Sequence, residues 1–163
     1  MVSFCLGAIL LLAFLGFKNG LKWSAGLLLL EYLLLLFFLT VLSRDIQAEK
    51  VIDLSPFWSY RAFLAGRRDL LSPIIGNVIS FFPVGLLLGC VFMRKKWWKV
   101  MLIGGSFSVL IETLQYVLRR GFTEFDDVFH NVLGCMVGYG LCKGIAYLVM
   151  RSRRNKQRIT KQP

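Results

Sequence analysis

The chain has 163 residues, 56% of them hydrophobic and only 18% charged, with a mean hydropathy of +0.64. That is too little charge to cover a soluble globule of this size and too much apolar mass for a disordered chain. The formal charge is nevertheless +11, from 20 Lys and Arg against 9 Asp and Glu. Such a balance suits either nucleic acid or a membrane protein with cations in its loops.

The apolar residues lie in blocks: 2–17 without a charge, 23–42 broken by Glu31, 77–93, 97–118 with Lys99 and Glu112 inside it, and 127–150 with Lys143 near its end. A helix needs about 20 apolar residues to cross roughly 30 Å of hydrocarbon. Backbone amides in lipid must be satisfied within the segment. The pattern predicts an all-α integral membrane bundle of about five transmembrane helices. No Lys or Arg precedes the first block, and no small-x-small site follows it, only Phe17-Lys18-Asn19-Gly20. It therefore reads as a retained helix and not a cleaved signal.

Placing the C-terminus inside puts 18–22, 94–99 and 151–163 on the inner face, with 12 cations and no acids. The outer segments 43–76 and 119–126 then hold seven cations and six acids, Asp45, Glu49, Asp53, Asp69, Glu124 and Asp126. The positive-inside rule predicts N-terminus out and C-terminus in, and it removes the case for nucleic acid. Trp23, Trp97 and Trp98 fall at the inner interface expected for indoles. The tail from Arg151 is an orientation signal or a lipid-surface contact. Between the second and third blocks, Ser55-Pro56 reads as an N-cap with Pro at the first helical position, and Gly66 as a stop. The helix between would carry Phe57, Trp58, Tyr60, Phe63 and Leu64, either in the outer interface or as a packed cap on the bundle.

An ionisable group inside a span costs at least about 2.5–3.5 kcal/mol unless paired or hydrated, so the few polar residues there carry information. Glu112, Gln115 and Tyr116 share one face near the outer end of the fourth block, with Glu112 roughly 9 Å from that end. Asp127 and Asn131 form a similar face at the start of the fifth. Asn77 and Ser80 open the third, and Thr123, Glu124 and Asp126 lie in the connecting loop. Three spans thus bring polar groups to one leaflet, with Arg119 or Arg120 as counter-charges. Two readings stay open, a binding or catalytic pocket and a hydrogen-bonded clamp between helices. Gly85-x-x-x-Gly89, Gly134-x-x-x-Gly138 and Gly140-x-x-x-Gly144 predict close helix packing. Pro83 predicts a kink in the third span. Glu31, at mid-span, reads as a helix–helix pairing residue or, in the sharper alternative, a coupling group.

The cysteines Cys5, Cys90, Cys135 and Cys142 lack CxxC spacing and read as small apolar residues. With His130 the one histidine, no histidine-rich metal site is expected. No phosphate loop, nucleophile elbow or dinucleotide fingerprint is present, and no cofactor is expected.

Taken together, Asp53-Leu54-Ser55-Pro56-Phe57, Asn77-x3-Phe81-x-Pro83-x-Gly85, Glu112-x2-Gln115 and Asp127-x3-Asn131-x2-Gly134 resemble the VanZ-like family in order and spacing. The resemblance covers residues 32–142. Its members are small bacterial membrane proteins, mostly without assigned biochemistry, named after one that gives low-level resistance to the glycopeptide teicoplanin. The resemblance places Asn77, Pro83, Gly85, Glu112, Gln115, Asp127 and Asn131 at motif positions, with Arg120 similar to an Arg many members carry. Pro56, Gly134 and Gly138 join Pro83 and Gly85 as structural positions. Asp53 departs from the Asn that members often have, and Glu31 is no motif residue.

The implied organisation is a first helix and start of the second span over 1–31, a membrane domain over 32–150, and a basic cytoplasmic tail over 151–163. The implied function is a bacterial envelope protein that lowers glycopeptide susceptibility without catalysis. Its partners would be membrane lipid and a lipid-linked cell-wall precursor or glycopeptide, at a site of Asn77, Glu112, Gln115, Arg120, Asp127 and Asn131. The alternative is a membrane enzyme on a lipid-linked envelope substrate, with Glu112 or Asp127 as acid or base. A transporter needs Glu31 on a pathway, and no inverted repeat supports one. Reporter fusions within residues 45–75 are expected to read outside and fusions beyond residue 151 inside; the reverse result overturns this topology.

Overall fold

The structure, a computed structural model, describes residues 20–92 and 96–159. The first expected span, 2–17, lies outside them. In chain order, α1 (Gly20–Phe37) runs on as a π-helical turn over Phe38–Leu42, followed by β1 (Val51–Asp53) and α2 (Trp58–Leu64). A 3-10 turn over Arg68–Leu70 leads into α3 (Leu71–Val91), then come α4 (Trp97–Leu118), β2 (Phe122–Glu124) and α5 (Phe125–Ile159). Four segments, Lys22–Leu42, Arg68–Val91, Trp97–Leu118 and Phe125–Asn155, are long and apolar enough to cross a membrane. Leu27, Leu30 and Leu34 of α1, Leu102 and Val109 of α4 and Val137, Leu141 and Ile145 of α5 face outward. That is the arrangement a bundle takes when its solvent is lipid.

The closest approach is between α3 and α5. A Cβ on Gly85 would overlap the Cys135 carbonyl, one on Gly134 the Val78 carbonyl, and one on Gly138 the Phe82 carbonyl. Gly89 meets the Cys142 side chain, and Gly104 brings α4 against the Cys135 sulfur. These positions let backbone lie on backbone. Gly140 and Gly144 do not take part, since no described atom lies within 4 Å of a Cβ built there. Phe81, Val84, Leu88, Val100, Ile111, Cys135 and Tyr139 fill the core beside the seam, with Leu36 and Val41 from the α1 side.

Several boundaries differ from expectation. The third span begins at Leu71, not Asn77, because Pro73 falls in the first turn, where its missing N–H costs no hydrogen bond. Asn77 is therefore six residues, or roughly 9 Å, inside the helix, and Glu112 is equally far from the end of α4. Pro83 lies within α3 without ending it. The Tyr32 hydroxyl donates to the Ser80 carbonyl at 2.9 Å, one residue along from the carbonyl that Pro83 leaves without its amide. The stretch from Phe122 to Glu124 is a strand and not a loop, pairing in parallel with β1 so that Val51, Ile52 and Asp53 face Phe122, Thr123 and Glu124. Such a short sheet has open edges, which hydrocarbon does not tolerate, so it belongs at or beyond the membrane boundary.

The aromatic helix starts at Trp58, two residues after Pro56, with Phe57 as its N-cap in the left-handed region (φ 58°). Ser55 does not cap it; its amide instead donates to Asp53 Oδ1 at 2.8 Å. Glu31 is exposed on α1 and makes no ion pair among the described residues. The helix α5 continues through the basic residues Arg151, Arg153 and Arg154 to Ile159.

Gly138→Leu is expected to abolish or strongly lower accumulation of folded protein in detergent, because overpacking against the Phe82 carbonyl costs about 1–3 kcal/mol or more. Gly144→Leu, on the open face, should leave size-exclusion profile and melting temperature unchanged.

Candidate functional site

The first turn of α5 carries two consecutive acids that face different ways. Asp126, with 0% of its surface exposed, accepts hydrogen bonds from the Phe57 amide (2.6 Å), the Ser59 amide (2.9 Å) and the Ser59 hydroxyl (2.5 Å). Its carboxylate thus supplies the N-terminal cap of α2 that Ser55 was expected to supply. Phe57 then stacks edge-on against Phe125 and Phe129 and tilts over Tyr60. Tyr60 reaches His130 Nε2 at 2.8 Å, and burial and the Asp126 charge push its hydroxyl above the ordinary tyrosine range.

Asp127, about 100° round the helix, points to α3 and accepts from Asn77 Nδ2 at 2.6 Å. Both line a cavity of about 470 Å³, along with Thr40 and Arg44 from the end of α1, Trp58 and Ser59 from α2, and Glu124 from β2. Leu70, Pro73 and Ile74 form an apolar wall. Trp58 Nε1 donates to Glu124 Oε2 at 3.2 Å. Burial first, and then the Asp127 charge, push Glu124 above the ordinary carboxylate value.

The other expected residues stand behind this cavity. Glu112 Oε2 accepts from the Glu124 amide at 3.1 Å, and the Thr123 hydroxyl donates to the Glu112 carbonyl at 3.1 Å, so Glu112 anchors β2. Gln115 Nε2 donates to the Thr40 carbonyl at 2.8 Å. Arg120 Nη1 donates to the carbonyls of Leu42 and Arg44. Asn131 Nδ2 donates to Ser108 Oγ at 2.9 Å, joining α5 to α4. The structure divides these residues: Asn77 and Asp127 border the cavity, whereas Glu112, Gln115, Arg120 and Asn131 hydrogen-bond the elements that frame it.

Neither Arg119 nor Arg120 meets an acid at contact distance. Arg119 is the left-handed C-cap of α4 (φ 57°), and its carbonyl accepts from the Gln47 amide. The cation at the site is Arg44, which reading by composition overlooked. It is placed by Gly121, whose φ of 130° and missing Cβ leave room for the guanidinium. The only signal available was position, an Arg two residues past an apolar block on the side where the acids gather. Among the described residues no three His, Cys, Asp or Glu side chains gather as a metal site.

The VanZ/LLP1 family model matches residues 29–149, a range that contains every residue of the cavity. The chain belongs to this family. One curated relative, Protein VanZ of Enterococcus faecium, is 31% identical over 128 residues, which are 72% of this chain and 74% of that protein. No solved structure matches the chain. It is a VanZ-family membrane protein with a helical bundle fold.

The two neighbouring acids should separate in experiment. Asp126→Asn turns one buried acceptor into a donor facing an amide, and is expected to lose about 1–3 kcal/mol of stability, read as a lower melting temperature in detergent. Asp127→Asn borders open space and should fold with little loss; equal loss in both variants would contradict this division.

Proposed function

We propose that the chain lowers susceptibility to teicoplanin-type glycopeptides by binding a ligand at the outer leaflet of the bacterial membrane, without catalysing a reaction. One observation carries this reading. Asn77, Asp127, Glu124 and Arg44 converge on a single cavity at the end of the bundle opposite the basic extension of α5. With the N-terminus outside and the C-terminus in the cytoplasm, as the loop charges favour, that cavity opens where lipid-linked cell-wall precursors and the drugs that seize them meet. Its volume falls in the range of about 300–1,000 Å³ typical of small-ligand sites. The low-level teicoplanin resistance given by the protein after which the family is named suggests the phenotype.

A second reading, an enzyme on a lipid-linked envelope substrate, is favoured by one feature: the carboxylate of Asp127 faces the cavity with only a neutral amide as partner. Such a group can take or give a proton if a substrate brings one within reach. Glu112, bonded to the Glu124 amide behind the cavity wall, would then position β2 and not react.

Expression in a susceptible host is expected to raise the inhibitory concentration of teicoplanin, and Asp127→Asn and Arg44→Gln are expected to remove the increase while accumulating normally. Unchanged susceptibility with the wild-type chain rejects the proposal. Turnover of a lipid-linked precursor by the purified protein, lost in Asp127→Asn, would select the enzymatic reading.

A further inference from the structure

The cavity wall holds charges of both signs that the protein does not pair with each other. Arg44 makes no ion pair at contact distance; the one such pair among the described residues is Arg67 with Asp69, on the surface. Asp127 and Glu124 accept only from neutral groups, the Asn77 amide and the Trp58 indole. His130, 1% exposed, lines the same wall with its Nδ1 unpartnered. A half-buried charge is tolerated at low cost only where water or a ligand completes its shell.

The charges are also ordered. Arg44 is exposed at the rim, whereas Asp127, Glu124 and the Trp58 ring are half-buried. A cation entering the cavity meets two carboxylates beside the Trp58 ring, and carboxylates form charge-assisted hydrogen bonds with ammonium groups. An anion is held off by those same carboxylates and stops at the guanidinium. The apolar wall of Leu70, Pro73 and Ile74 runs into Leu71, Ile75 and Ile79, which are exposed along the lipid-facing side of α3 at four-residue spacing. Acyl chains would lie along that stripe.

We propose that the cavity takes the headgroup of a zwitterionic aminophospholipid, with its ammonium against Asp127 and Glu124, its phosphate against Arg44 and its acyl chains along α3. This rests on the cavity being the ligand site of the preceding section and names the chemical class of its occupant. The recognised chemistry is a primary amine and a phosphate within one short headgroup. A soluble phosphoethanolamine would share it, but would leave the apolar wall and the α3 stripe unused.

The test is native mass spectrometry of the purified full chain in detergent with equimolar phosphatidylethanolamine, phosphatidylcholine and phosphatidylglycerol, repeated with free phosphoethanolamine as competitor. Phosphatidylethanolamine should be retained at least about tenfold over phosphatidylglycerol, as expected when charge-assisted hydrogen bonds are gained by one lipid alone. It should exceed phosphatidylcholine, whose quaternary ammonium has no N–H to donate. The isosteric pair Glu124→Gln with Asp127→Asn should remove the preference. Arg44→Gln, a change at the exposed rim that leaves the buried wall intact, should weaken retention of phosphatidylethanolamine independently. Equal retention of phosphatidylglycerol, or a preference that survives both sets of changes, overturns the headgroup assignment while leaving the cavity a ligand site. Complete displacement by free phosphoethanolamine overturns the lipid as its source. Retention of no lipid class at all by the wild-type chain would instead bring down the cavity reading and this inference together.

Discussion

The outer half of this protein hangs on one buried carboxylate. Asp126 gives up water entirely and makes no ion pair, and three donors from a segment nearly 70 residues earlier in the chain replace that hydration. Hydrogen bonds to a charged acceptor contribute about 1.5–3 kcal/mol each, enough to hold Phe57 in a left-handed conformation that costs about 1–3 kcal/mol. With Phe57 so turned, α2 folds back over the start of α5. Trp58 then reaches Glu124, Ser59 faces the cavity, and Tyr60 reaches His130. Without the cap, one wall of the site has no reason to stand where it does.

The opposite wall is set by glycine. Since Gly134 and Gly138 rest on the carbonyls of Val78 and Phe82, the backbones of α3 and α5 are locked in register within their spans. That register brings Asn77, one turn and a half into α3, level with Asp127 at the head of α5. A bulkier residue at the seam would move both helices, and the 2.6 Å contact would be among the first things lost. Packing here acts on function through alignment along the helix axis and not through the chemistry of the seam itself.

Much of this was legible in the sequence, for physical reasons that can be named. Apolar blocks of near-membrane length and cations sorted by loop required a helical membrane bundle. The costliness of Asn77, Glu112, Gln115, Asp127 and Asn131 in lipid drew attention to one end of it. Three things were not legible. The short parallel pairing of β1 with β2 joins segments about 70 residues apart and carries no alternating pattern of its own. The cap on α2 comes from Asp126, so the local Ser55-Pro56 pattern pointed to the wrong residue; a remote carboxylate outcompeted a nearby hydroxyl. Arg44 looked like one of many loop cations because its placement depends on the left-handed glycine at Gly121, visible only once the loop is folded.

The two arginines near the site show how the structure allots positive charge. Arg120 spends its fork on the carbonyls of Leu42 and Arg44, where the π-helical end of α1 leaves acceptors without amide partners. Gln115 takes the Thr40 carbonyl of the same turn. Those two side chains satisfy the end of α1, and Arg44, whose backbone is part of that arrangement, keeps a guanidinium without a contact ion pair. Had Arg120 reached into the cavity instead, it would have neutralised Asp127 and closed the space with an internal ion pair. With Arg120 kept on the backbone, Asp127 and Glu124 keep neutral hydrogen-bond donors as their partners, and Arg44 lines the same cavity without a contact ion pair.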